Sequence, residues 1–119
     1  MQMARLVFIV LLIFAEAFQP VSLQSLESMS QPATEEVQEL LNKIQSEVEE
    51  SVGLEFDVYV AKLYITQVVN RINYFVKVYI GNDEYIHVKF HKGFQMTDSM
   101  VTLIAVQDNK RKDDELIYF

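Results

Sequence analysis

Cysteine is absent from all 119 residues of this chain. That single absence removes disulfides, thiol nucleophiles and cysteine-type zinc sites together. Histidine is nearly absent too: His87 and His91 are the only two. They are too few for an imidazole metal cage without carboxylate help, so no metal and no other cofactor is expected. Basic residues are outnumbered by acidic ones, the net charge is -7, and no basic stripe occurs anywhere. Phosphate recognition needs clustered Lys and Arg, so nucleic acid is excluded as a partner. No Gly-x-Ser-x-Gly elbow and no Asn-x-Ser/Thr sequon is present. The paired carboxylates at Asp83-Glu84 and Asp113-Asp114-Glu115 fall in a turn and a charged tail, where solvation explains them. No catalytic constellation remains, and the chain reads as a non-enzyme.

One long apolar run does occur, from Leu6 to Phe14, preceded by Arg5 and followed by Ala15-Glu16-Ala17. A basic start, a short apolar stretch and an A-x-A-like site compose a secretory signal peptide. Residues 1–17 are therefore expected to be removed on export. The run is short against the ~20 apolar residues of a membrane span, so no stable membrane insertion is expected after cleavage. Residues 18–30, rich in Ser and Gln and without periodicity, read as a flexible arm.

The remaining residues, 31–119, make one domain. Val37, Leu40, Leu41, Ile44 and Val48 recur at helical spacing and predict one amphipathic helix. Thr34 fits its N-cap, Glu35 and Glu36 suit the positive end of its dipole, and Gly53 supplies the stop. After Gly53 the period becomes two. Phe56, Val58 and Val60 predict one apolar face, which slips to Leu63 and Ile65 through a bulge near Ala61-Lys62. Tyr74, Val76, Val78 and Ile80 form the face of the next strand, and Gly81-Asn82-Asp83 turns the chain. Ile86, Val88 and Phe90 continue that face, and Val101 to Val106 make a further strand. His87 projects opposite the core and reads as a solvated surface residue, as does His91 at the strand end. The order predicts an α+β fold with one helix packed on a four- to five-stranded antiparallel sheet.

Two β-branched runs meet at a polar step in Gln67-Val68-Val69-Asn70-Arg71, followed by Ile72-Asn73-Tyr74-Phe75-Val76-Lys77-Val78, the pattern of a hairpin. With Gln31-Pro32-Ala33-Thr34 and the tail Asp113 to Phe119, this segment resembles the stefins. These are the single-domain, cysteine-free members of the cystatin superfamily, and the likeness runs almost without gaps from Gln31 to Phe119. The resemblance implies a cystatin-like fold and reversible, tight-binding inhibition of papain-like cysteine proteases such as cathepsins. In that family an N-terminal arm, a Gln-x-Val-x-Gly hairpin and a second hairpin carrying Leu-Pro line up as a wedge that fills the protease cleft. Carried over, the wedge comprises Gln67, Val68, Val69, Asn70 and Arg71, with Phe94 and Gln95 from the second hairpin and Met29 from the arm.

The chain departs from that pattern at each piece. Arg71 holds the motif's glycine position, which predicts weakened binding and leaves Asn70 to supply a positive φ. The second hairpin, Gly93-Phe94-Gln95-Met96, lacks Leu-Pro, and the arm lacks its glycine. The alternative reading is a non-inhibitory, secreted binding protein of the cystatin fold. Stefins ordinarily lack a signal and remain in the cytosol, so the resemblance sets a cytoplasmic location against the exported one. A strained turn between two long strands also predicts a domain-swapped homodimer.

Overall fold

The computed structural model describes residues 30–93 and 100–119. The signal-like segment, nearly all of the arm including Met29, and Phe94, Gln95 and Met96 lie outside the described residues. A two-residue strand β1 (Gln31–Pro32) leads into helices α1 (Glu35–Lys43) and α2 (Gln45–Val52), followed by β2 (Val60–Val68), β3 (Ile72–Tyr79), β4 (Tyr85–Lys92) and β5 (Val101–Lys110). All five strands form one antiparallel sheet in sequential order. The last strand runs past Val106 to Lys110, longer than its apolar stretch suggested.

Thr34 caps α1 as expected: its Oγ1 accepts from the Val37 amide at 3.2 Å. Where one helix was expected, there are two segments. Ile44 leaves helical geometry (φ -112°, ψ 12°), and its amide bonds back to the Leu41 carbonyl at 3.2 Å. Helical bonding resumes when the Val48 amide reaches the Ile44 carbonyl at 3.0 Å. The Tyr59 hydroxyl donates to the same Leu41 carbonyl at 3.0 Å, so the break is filled from the sheet side. The apolar stripe crosses the break intact, with Val37, Leu40, Leu41, Ile44 and Val48 all buried. Gly53 ends the helix in the left-handed conformation, φ 74°.

The bulge lies where the sequence puts it, with the β2–β3 register shifting between Ala61 and Leu63. The face assigned to it holds only at Phe56, which packs against the helix-side core. Val58 and Val60 are exposed, and the helix side is taken by Tyr59 and Ala61. The reason is a hydrogen-bonded clamp: Gln38 on α1 donates from Nε2 to the Tyr59 carbonyl at 3.0 Å. Its Oε1 accepts from the Ala61 amide at 2.8 Å. A fork of this kind turns the odd-numbered positions toward the helix. The extra residue, Lys62, then sends Tyr64 inward and Leu63 and Ile65 outward.

The outward face is covered as well. Ile65, Phe75 and Leu116 form a second buried cluster, joined by Leu63, Tyr118 and Phe119. The Phe75 ring lies 5.1 Å from that of Tyr118 and 5.3 Å from that of Phe119. Lys77, itself buried, donates through Nζ to the carbonyls of Lys112 and Asp114 and so ties the tail to the sheet. His87 lies opposite Lys77 on this face and is only 1% exposed. The expectation of a solvated His87 is thus wrong, because alternation places a residue on a face without saying what covers it.

Candidate functional site

One end of the sheet gathers the three pieces that the sequence separates. The β2–β3 hairpin closes with Val68 opposite Ile72, leaving Val69, Asn70 and Arg71 as the loop. The Val69 amide donates to the Arg71 carbonyl at 3.0 Å across it. Behind the tip, Asn73 Nδ2 donates to Gln67 Oε1 at 3.4 Å, which occupies the Gln67 amide oxygen within the hairpin. The valines point into solvent instead: Val68 is 64% exposed and Val69 60%. Exposed β-branched side chains on a tight loop offer apolar area with little rotamer freedom to lose on contact.

Register places the other two pieces beside this tip. β1 pairs antiparallel with β2, Gln31 opposite Tyr64 and Pro32 opposite Leu63. Ser30 therefore lies on the Val68 side of Gln31, and the arm joins the domain at the tip end. Lys92 stands between Ile72 and Val101, so the loop from β4 to β5 leaves the sheet at the same end. Met100, closing that loop, is 72% exposed. It was missed by sequence reasoning, which searched Gly93 to Met96 for anchors; its signal was an apolar residue directly before a strand whose partner is Lys92.

The turn itself corrects an expectation. None of Val69, Asn70 and Arg71 has a positive φ; among the described residues the left-handed non-glycine ones are Asn82, Asp83 and Asn109. Asn70 thus does not stand in for a glycine, and Arg71 occupies the motif position without backbone strain. The argument for a strained hinge, on which the domain-swapped dimer rested, loses its premise. Arg71 is exposed, and its Nη1 donates to His91 Nε2 at 2.7 Å. Lys92, on the opposite face, pairs with Glu36 of α1 at 3.8 Å, a surface contact of small energetic weight. Of the predicted site residues, Gln67, Val68, Val69, Asn70 and Arg71 come together here. Met29, Phe94 and Gln95 lie outside the described residues. No group of three or more His, Asp or Glu side chains suited to a metal ion occurs among the described residues.

A helix-backed antiparallel sheet thus presents the β2–β3 loop, the start of β1 and the facing ends of β4 and β5 at one end. Comparison with known proteins gives the family: residues 25–113 match the Cystatin domain, and the chain belongs to the cystatin family. Cystatin-A of Felis catus is 41% identical over 92 residues, covering 77% of this chain and 94% of the cat protein. Cystatin-B of Homo sapiens is 37% identical with the same coverage of both chains. Leukocyte cysteine proteinase inhibitor 1 of Sus scrofa is 36% identical over 88 residues, 74% of this chain and 85% of the pig protein. The pig relative is a cysteine proteinase inhibitor by name, and this chain, as a member of the family, is not an enzyme.

Proposed function

We propose that this protein is a reversible inhibitor of papain-like cysteine proteases, working by insertion of the Val68–Val69 tip into the active-site cleft. The observation that carries the reading is the pair of exposed valines on an unstrained loop, flanked at the same sheet end by β1 and by Met100. A cleft that binds extended peptide accepts such a tip by burying its apolar surface. The relative named as a cysteine proteinase inhibitor supports the same partner class. The test is titration of the purified domain against several papain-like proteases. Reversible, stoichiometric inhibition is expected, and Val69→Asp should weaken it about a hundredfold, because a carboxylate in a closed apolar contact loses its water. Absence of inhibition by the unaltered protein would leave the non-inhibitory binding protein, the reading favoured by a charged Arg71 at the loop.

We also propose that the protein is exported, on the strength of the Leu6–Phe14 run and Ala15-Glu16-Ala17. Expressed in secretory cells, it should reach the medium with a new N-terminus at or beside Phe18, as N-terminal sequencing would read. Met1-bearing protein confined to the cytosol overturns this.

A further inference from the structure

Arg71 raises a problem that its backbone does not. The loop accommodates it without strain, yet a long cation beside the tip must go somewhere when the tip enters a cleft. Its place is given by strand alternation. Ile72 and Tyr74 face the helices, so Arg71, Asn73 and, opposite Asn73, His91 face the other way. There the Arg71 Nη1 donates to His91 Nε2 at 2.7 Å. An imidazole nitrogen receives such a bond only while it carries no proton, and a guanidinium has no acceptor to offer in return.

We propose that His91 is a positioning residue for the inhibitory tip. Neutral, it holds the Arg71 guanidinium sideways along the outer sheet face and leaves Val68 and Val69 clear; protonated, it releases Arg71 toward the tip and inhibition weakens. The inference rests on the inhibitory reading above and assigns it a pH dependence.

The surroundings of His91 favour the neutral state. From its own strand, Lys89 faces it two positions back, with its Nζ donating to the Phe119 main-chain oxygen at 2.7 Å. Across on β3 stands Asn73, and across on β5 Thr102, neither charged. From the turn comes Arg71. Partial burial first, and then the two neighbouring cations Arg71 and Lys89, hold its pKa below the usual imidazole value of 6.5. The sign follows. At neutral pH the nitrogen is free to accept, and the pair is intact. As pH falls through a value below 6.5 the acceptor is lost and two cations are left in contact. A released guanidinium meets the rim of an entered cleft and must shed water or find a carboxylate there.

The experiment measures inhibition of one papain-like protease between about pH 7.5 and about pH 4.5, a span that brackets imidazole titration. The readout is the ratio of the inhibition constant of the unaltered protein to that of Arg71→Gly, which cancels the protease's own titration. The ratio should rise about tenfold from neutral to acid pH, a change of ~1.4 kcal/mol. In a His91→Gln background, whose amide oxygen accepts at every pH, the ratio should stay flat. In His91→Lys it should sit at the acid value throughout. A ratio that does not change with pH, or that changes equally in His91→Gln, overturns the proposal. If no variant inhibits at any pH, the inhibitory reading fails instead. The pair is then judged in the free protein by NMR, where the Arg71 side-chain signals should shift in step with His91 ring titration. Arg71 signals indifferent to that titration overturn the positioning role whatever the inhibition shows.

Discussion

The two faces of the sheet are buried by different means, and the difference decides which residues were readable in advance. On one face, α1 and α2 lay a periodic apolar stripe over Tyr74, Val76, Val78, Ile86, Val88 and Phe90. On the other, an irregular tail from Arg111 to Phe119 covers a mixed surface that includes Phe75, Lys77, His87 and Lys89. A helix announces its covering role through spacing; a tail without periodicity does not. Polar residues under a tail also keep partners that polar residues under a helix would lack, since the tail's carbonyls are free to accept. Lys77 illustrates this: burial lowers its pKa, while nearby Asp114 and Asp113 oppose that shift. Its two carbonyl acceptors let a buried ammonium persist there.

The largest expected effect tests whether the outer face is a true core. Phe75 is fully buried against Tyr118, Phe119, Ile65 and Leu116. Phe75→Ala should lower stability by about 3–5 kcal/mol in denaturant titration, as cavity-forming truncations of aromatic core residues do. A loss below about 1 kcal/mol would mean the tail leaves the sheet readily and that the faces are not equivalent cores.

The next effect separates the faces by pH. His87 is buried with Nε2 unpartnered among the described contacts, beside Lys77 and Lys110. Burial first, and those cations second, lower its pKa from 6.5 to about 4. With the folded pKa depressed, the unfolded chain takes up the proton first. Stability is therefore full above about pH 6.5, falls as pH drops toward 4, and levels below it. The loss reaches at most about 3 kcal/mol by the usual conversion of pKa into free energy. Denaturation midpoints across this range should show the slope in the unaltered protein and lose most of it in His87→Gln. An undiminished slope in that variant would assign the acid sensitivity elsewhere, such as to Asp114, whose carboxylate accepts from the Arg111 amide.

How far the fold was legible follows the same division. The helix stripe, the Thr34 cap, the Gly53 stop, the Lys62 bulge and the inward residues of β3 and β4 all carry local signals, and all are where those signals place them. The inward face of early β2 was misread because Gln38, 23 residues before Ala61, fixes it through a side-chain fork that no period encodes. The buried state of His87 was missed because its cover comes from the far end of the chain. At the tip, the hairpin and its valines were readable from β-branched runs, whereas the Arg71–His91 bond joins loop and strand 20 residues apart.

The smallest effect concerns the two hairpin turns, which share an outline but not a backbone. Between β3 and β4 the residues Gly81, Asn82 and Asp83 have φ of 93°, 53° and 58°, so that turn depends on residues that tolerate the left-handed region. Between β2 and β3 no residue does. Judged from the family motif, Arg71→Gly would restore a missing glycine and leave stability unchanged or improved. Judged from the backbone, it removes a side chain from a conformation that any residue adopts and adds freedom only to the unfolded chain. It also removes the hydrogen bond to His91. The expected result is a loss of about 0.5–1 kcal/mol, visible as a lower midpoint in thermal or denaturant unfolding at neutral pH. A gain in stability would mean that the loop does hold strain at Arg71, and the contrast between the two turns would then have to be withdrawn.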